Sequence, residues 1–178
     1  GKTVAWPALA YGCYRGSRFA SAAVATMNAV HAAAGTWTRR VSMYVIPSEF
    51  ARRKFVEAGF PANKIKVKPN FLSQDPGLGD GKGGFALFAG RLAAEKGLGT
   101  LFQAWKRLNR PVPLKIAGGG PLQKEVEERA KTLDDIELLR EQSNDSVWRL
   151  MGQASLVVVP SEWHETFGRV VIEAFAKG

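Results

Sequence analysis

The sequence predicts an α/β fold, a parallel β-sheet with helices on its faces, and three observations carry that prediction. From Phe85 onward, short apolar runs alternate with segments whose apolar residues recur at helical spacing, in the order β-α-β-α-β-α-β-α. Runs such as FALFA (85–89) and LVVV (156–159) are too short for helices and apolar at every position. That is the pattern of strands covered on both faces, not of a half-exposed sheet. Turn residues follow these runs, with LKIA (114–117) entering Gly118-Gly119-Gly120-Pro121 and LVVV ending at Pro160.

Taken in order, residues 17–35 form an Ala-rich helix ended by Gly35. VSMYVIP (41–47) is short and rich in β-formers, hence a strand. Ser48 is the expected N-cap of EFARRKFVEAG, with Gly59 as its stop and Pro61 beyond. IKVK (65–68) is a short strand before Pro69-Asn70. SQDPGLGDGKGG (73–84) holds five Gly, one Pro and two Asp, the composition of a linker. Beyond it come strand 85–89, helix 98–108, strand 114–117, a charged helix over 122–133 and strand 136–139. Helix 147–154, strand 156–159 and a last helix over 167–176 complete the series. Strand 156–159 carries the clearest pattern of a buried strand, and Val170, Val171, Ala174 and Phe175 should form the core face of the last helix. The expected organisation is therefore a first domain over 1–72, a linker over 73–84 and a second domain over 85–178. Four strands are few for a doubly wound domain, and no strand follows the last helix, so the chain is expected to be a fragment.

Composition narrows the function classes. The 178 residues are 46% hydrophobic and 23% charged, enough apolar content for a core and ordinary for a globular chain. A single cysteine, Cys13, excludes an intrachain disulfide, and the two histidines, His31 and His164, lie too far apart for zinc-type spacing. The net charge of +9 is uneven: residues 1–84 hold 12 Lys/Arg against 4 Asp/Glu, and residues 85–178 hold 13 against 12. A basic half invites a polyanion, an anionic membrane surface or a phosphorylated ligand. No recognised nucleic-acid motif supports the first of these. Residues 19–38 lack Lys, Arg, Asp and Glu, but Ala, Ser, Thr and Asn dominate there, which points to a soluble helix. The start, GKTVAWPALAYG, has no apolar core of signal-peptide length. Lys64, Lys66, Lys68, Arg52, Arg53 and Lys54 are candidates for contact with an anionic lipid.

Parallel sheets bind ligands at the carboxyl ends of their strands. There, Gly90 and Arg91 follow strand 85–89, and Lys96 lies near the start of the next helix, so two cations meet a helix N-terminus where a phosphate would sit. Gly118-Gly119-Gly120-Pro121 lets backbone approach a ligand, although no GxGxxG is present. In ETFGRVVIE (165–173), Glu165 precedes the last helix and Glu173 lies within it, with Thr166-Phe167-Gly168 supplying amides at its start.

In that order and spacing, FAGRLAAEKG, IAGGGPL and VVVPSEWHETFGRVVIEAFAKG resemble the nucleotide-sugar-dependent glycosyltransferases of family 4, whose GT-B architecture faces two Rossmann-like domains across a cleft. PSEFARRKFVEAGFPANKIKVKPNF extends the resemblance to residues 41–178, and CYRGSRFASAAVATMNAVHAAAGTW looks like a late part of the N-terminal domain. The resemblance implies a retaining transferase that moves a sugar from a UDP-, GDP- or ADP-linked donor to a glycan or lipid-linked acceptor in bacterial polysaccharide synthesis. Arg91, Lys96 and Glu165 would be its catalytic residues, the two cations on the diphosphate and Glu165 on the transferred sugar. Glu173 would accept from the ribose hydroxyls, with Gly90, Gly118, Gly119, Arg140, Phe167 and Gly168 completing the donor site. Neither a metal nor another cofactor is expected. Where the family often has a Gly-containing segment after the third strand of this domain, the chain reads LLREQSND. The expected location is cytoplasmic, with peripheral contact at the inner face of the membrane and no nucleic-acid partner. The chain alone is expected to be inactive, because the segments that build most of the acceptor site are absent. A GT-B sugar-nucleotide epimerase and a non-catalytic nucleotide-binding or assembly module are the alternatives.

Overall fold

The computed structural model describes residues 6–108, 112–133 and 135–178. Residues 1–5, part of the stretch inspected for a signal peptide, lie outside these. Two compact units divide between Pro69 and Asn70.

The first unit runs α1 (Trp6–Ala10), α2 (Arg18–Ala33), a π-helical turn (Thr36–Arg40), β1 (Tyr44–Ile46), α3 (Glu49–Glu57), a short 3-10 turn (Ala62–Lys64) and β2 (Ile65–Val67). Ser17 and Ser48 cap α2 and α3, each hydroxyl accepting from an amide three residues on, at 3.2 Å. That satisfies one of the amides every helix start leaves without an intrahelical partner. β1 and β2 pair in parallel, Tyr44 opposite Ile65, and enclose a small core of Ile46, Ala51 and Ile65 with Phe55 and Phe60 against it. His31 meets Thr36 at 3.2 Å and packs against the Trp37 ring. Several of the cations proposed for lipid contact are engaged within the unit. The Lys64 ammonium donates to the carbonyls of Thr38 and Val41 at 2.8 and 2.9 Å, while Arg52 pairs with Glu49 and Lys54 with Glu57.

The second unit holds the predicted sheet. Its elements are β3 (Ala86–Ala89), a 3-10 turn (Ala94–Lys96), α4 (Leu98–Arg107), β4 (Leu114–Ala117), α5 (Gln123–Ala130), β5 (Ile136–Arg140), α6 (Asn144–Gln153), β6 (Leu156–Val157) and α7 (Arg169–Lys177). The strands are all parallel, in the order β5-β4-β3-β6. Alternate residues of β3 serve opposite faces. Ala86 and Phe88 join Leu98, Leu101, Phe102 and Val126 of α4 and α5. Phe85, just before the strand, and Leu87 join Met151 and Ala154 on the α6 side. Burial on both faces is why this strand reads as an unbroken apolar run. The chain leaves β3 toward β4 and β5 on one side and returns to it as β6 on the other. The carboxyl end of β3 is therefore the topological switch point, where a crevice opens.

Three expectations change. Segment 156–159 is not a fully buried strand: β6 spans two residues at the sheet edge, and Leu156 and Val159 are exposed. Phe175 is 78% exposed and not part of the core face of α7, although Val170 packs against the core. The stretch 73–84, linker-like in composition, is tied to the second unit. Gly79 and Gly81 donate to the carbonyls of Lys177 and Gly152, Gly83 donates to that of Gln153, and the Lys177 ammonium donates to the Pro76 carbonyl.

Candidate functional site

At the carboxyl end of β3, the backbones of two loops come into contact. The Gly118 amide donates to the Arg140 carbonyl at 2.7 Å, and the Gly90 amide to that of Ala117 at 3.0 Å. Gly118 adopts φ +152°, and a Cβ there would lie 1.9 Å from the Gly90 carbonyl oxygen, so only glycine fits. This close approach keeps the ends of β3 and β4 bare and opens a hollow of about 520 Å³ between them. Gly90, Arg91, Gly118 and Gly119 line it on the strand side, Glu141, Gln142 and Val147 on the β5–α6 side, and Val170 and Glu173 on α7.

A second hollow of about 320 Å³ shares Gly90, Arg91 and Val170 with the first. Its walls add Lys96, Ser161 and Glu165, then Phe167, Gly168 and Arg169 at the start of α7. The first amides of a helix lack intrahelical partners and carry its positive end, so anionic groups are favoured here. α7 has no side-chain cap to compete for them.

The charged groups are arranged in pairs. Lys96 donates to both carboxylate oxygens of Glu165 at 2.9 Å, with the two side chains 27% and 33% exposed. Ser161 lies 3.5 Å from the same carboxylate. Arg169 bonds Glu173 one helical turn on, at 3.2 Å. Arg91 is exposed and lines both hollows. The loops carrying Lys96 and Glu165 are locked together by backbone. The Glu162 amide donates to the Glu95 carbonyl at 3.0 Å, and the Thr100 hydroxyl donates to the Glu162 carboxylate. Gly97 packs so close to the Pro160 carbonyl that a Cβ would fall 2.0 Å from it.

Of the ten residues singled out from the sequence, nine line these two hollows: Gly90, Arg91, Lys96, Gly118, Gly119, Glu165, Phe167, Gly168 and Glu173. Arg140 does not. Its backbone is left-handed at φ +58°, and its side chain turns to α5, where it pairs with Glu127 at 3.3 Å. Sequence reasoning did not single out Gln142, Val147, Ser161 or Arg169 as site residues. For Gln142 the only signal is its place just after a strand end, and Val147 lies in the first turns of the helix that follows. Among the described residues, no group of three or more His, Cys, Asp or Glu could hold a metal ion, and no helix is long and apolar enough to cross a membrane.

The family described as glycosyl transferases group 1 matches residues 73–178. An uncharacterized glycosyltransferase of Methanocaldococcus jannaschii is 34% identical over 116 residues, 64% of this chain and 32% of that protein. The lipopolysaccharide 1,2-N-acetylglucosaminetransferase of Salmonella typhimurium is 29% identical over 160 residues, 75% of this chain and 42% of that protein. The chain thus spans about a third to two fifths of the length of these curated relatives. Among solved structures, Anabaena HepE in complex with UDP and glucose superposes with a TM-score of 0.67 at 21% identity, covering 76% of this chain and 42% of that one. WaaG, a glycosyltransferase involved in lipopolysaccharide biosynthesis, gives 0.63 at 17% identity, covering 79% of this chain and 44% of that one. At such identities the structures speak to fold alone, and the fold is that of GT-B glycosyltransferases.

Proposed function

This chain belongs to the glycosyl transferases group 1 family, and we propose that residues 70–178 bind the nucleotide-diphosphate sugar donor of a glycosyltransferase. The observation that carries the reading is a pair of adjoining hollows at the switch point that share Gly90, Arg91 and Val170: Arg91 and Lys96 line one together with the start of α7, and Glu165 and Glu173 stand in separate hollows. A diphosphate beside Arg91, Lys96 and the α7 amides would meet fixed positive charge. The same charge would stabilise the diphosphate as it leaves, which is electrostatic assistance to breaking the glycosidic bond. Glu173, in the hollow that reaches Gly118 and Gln142, suits the ribose hydroxyls. Glu165, in the other hollow, suits hydroxyls of the transferred sugar.

The finer reading is a family 4 enzyme that retains anomeric configuration and transfers a hexosyl group to a glycan or lipid-linked acceptor in bacterial polysaccharide synthesis, with no metal. It works in the cytoplasm, peripheral to the membrane. Two carboxylates that grip the donor are a different arrangement from the acid and nucleophile pair of retaining glycoside hydrolases. Support comes from the family match and from the Salmonella relative, whose name states a lipopolysaccharide sugar transfer.

Titration calorimetry with UDP, GDP and ADP tests the donor site and names the base. Arg91→Ala and Glu173→Ala should each weaken binding about tenfold or more, a loss of ~1.4 kcal/mol. A folded chain that binds none of the three would overturn the reading.

A further inference from the structure

Lys96 and Glu165 are engaged with each other more fully than any other charged pair lining the crevice. One ammonium donates to both carboxylate oxygens at 2.9 Å, and neither side chain is more than a third exposed. An ammonium has three N–H donors, and two of them are committed to Glu165. On the donor-site reading above, on which this inference rests, Lys96 must also meet the diphosphate. The phosphate oxygens and the Glu165 carboxylate then compete for one cation.

We propose that Glu165 and the diphosphate exchange places on Lys96, so that Glu165 opposes binding of a bare nucleoside diphosphate and favours the sugar-linked donor. When the diphosphate takes the ammonium, the carboxylate is released beside the sugar and accepts from its hydroxyls. When the sugar has been transferred, those hydroxyls leave and Glu165 returns to Lys96, which weakens the hold on the diphosphate product. Recognition of the sugar and release of the product follow from one side-chain movement.

The backbone is arranged for such an exchange. The Glu162 amide on the Glu95 carbonyl, the Thr100 hydroxyl on Glu162 and the contact of Gly97 with Pro160 fix the two loops to each other. Only the Lys96 and Glu165 side chains have to rotate. Ser161, 3.5 Å from the Glu165 carboxylate, stays within reach of it during the change. Arg91 and the α7 amides border the same hollow, so a diphosphate, with charged oxygens on both of its phosphates, gains more partners there than a single carboxylate does.

The test is calorimetry of the wild-type chain, Glu165→Gln and Glu165→Ala with UDP, GDP and ADP, and with UDP-glucose, GDP-mannose and ADP-glucose. Arg91→Ala serves as the site control, and a thermal melt of each variant as the fold control. Glutamine keeps the shape of Glu165 and removes its charge. Both Glu165 variants should bind the bare diphosphate about threefold more tightly than the wild type, the range a partly exposed ion pair commands. Their preference for sugar nucleotide over bare diphosphate should fall by at least as much. A merely structural role for Glu165 would weaken both ligands together. Unchanged or weaker binding of the bare diphosphate by both Glu165 variants, with Arg91→Ala still weakening it about tenfold or more, overturns the exchange and leaves the donor-site reading standing. No binding of any nucleoside diphosphate to the folded wild type removes the donor-site reading, and the exchange falls with it.

Discussion

At Gly118 a single hydrogen atom in place of a side chain lets two loops meet. The Cβ of alanine would fall 1.9 Å from a backbone oxygen, an obstacle that cannot swing aside as a flexible side chain would, and φ +152° is unfavourable for any L residue. Gly118→Ala should destabilise the second unit by about 3 kcal/mol or more, measured by urea unfolding, in line with other losses at strained backbone positions. A loss below about 1 kcal/mol would mean that the loops are not held this tightly. Arg140 makes the opposite point. A cation at the carboxyl end of a strand reads like part of a donor site, yet here the backbone is left-handed and the side chain pairs with Glu127, outside the two hollows. Arg140→Ala should therefore leave nucleotide affinity within about twofold of wild type, against the tenfold loss expected for Arg91→Ala. The motifs point to Gly90, Gly118, Gly119, Gly168, Arg91, Lys96, Glu165 and Glu173, and all of these line the two hollows. No motif encodes the backbone angle at residue 140, and that angle decided where the side chain points.

Elements were legible in proportion to how local their causes are. Ser17 and Ser48 as caps, and the continuous apolar character of β3 and β4, depend on a few neighbouring residues, and those elements fall within a residue or two of expectation. The burial of β6 depends on strand order. LVVV has the composition of a central strand, but among the described residues β6 is an edge strand, paired on one side only. The stretch 73–84 departs from linker behaviour for a related reason. Its glycines look like flexibility, whereas Gly79 lies against Gly152 of α6 so closely that a Cβ would sit 2.0 Å from the Gly152 carbonyl oxygen. In a free linker Gly79→Ala would be silent. Here it should cost about 2–4 kcal/mol, the cost of forcing atoms into an already packed contact. Denaturant unfolding monitored at Trp148, in α6, would read this directly, and an unchanged midpoint would restore the linker description.

For the whole molecule, the division of charge and the division of structure fall close together. The first 84 residues hold nearly all of the excess positive charge, while every residue lining the two hollows lies between Asn70 and Gly178. The second unit has apolar clusters on both faces of its own sheet. A polypeptide of residues 70–178 should therefore fold and bind the nucleoside diphosphate with an affinity within about threefold of the full chain, a difference of less than ~0.7 kcal/mol. Long-range attraction from the basic first unit is the term that deletion would remove. It is screened beyond about 8 Å at physiological ionic strength. The two chains should accordingly differ most at low salt and converge as salt is raised, and calorimetry at two or three ionic strengths would measure both effects. A large loss of affinity that persists at high salt would show instead that residues 1–69 contribute directly to the nucleotide site.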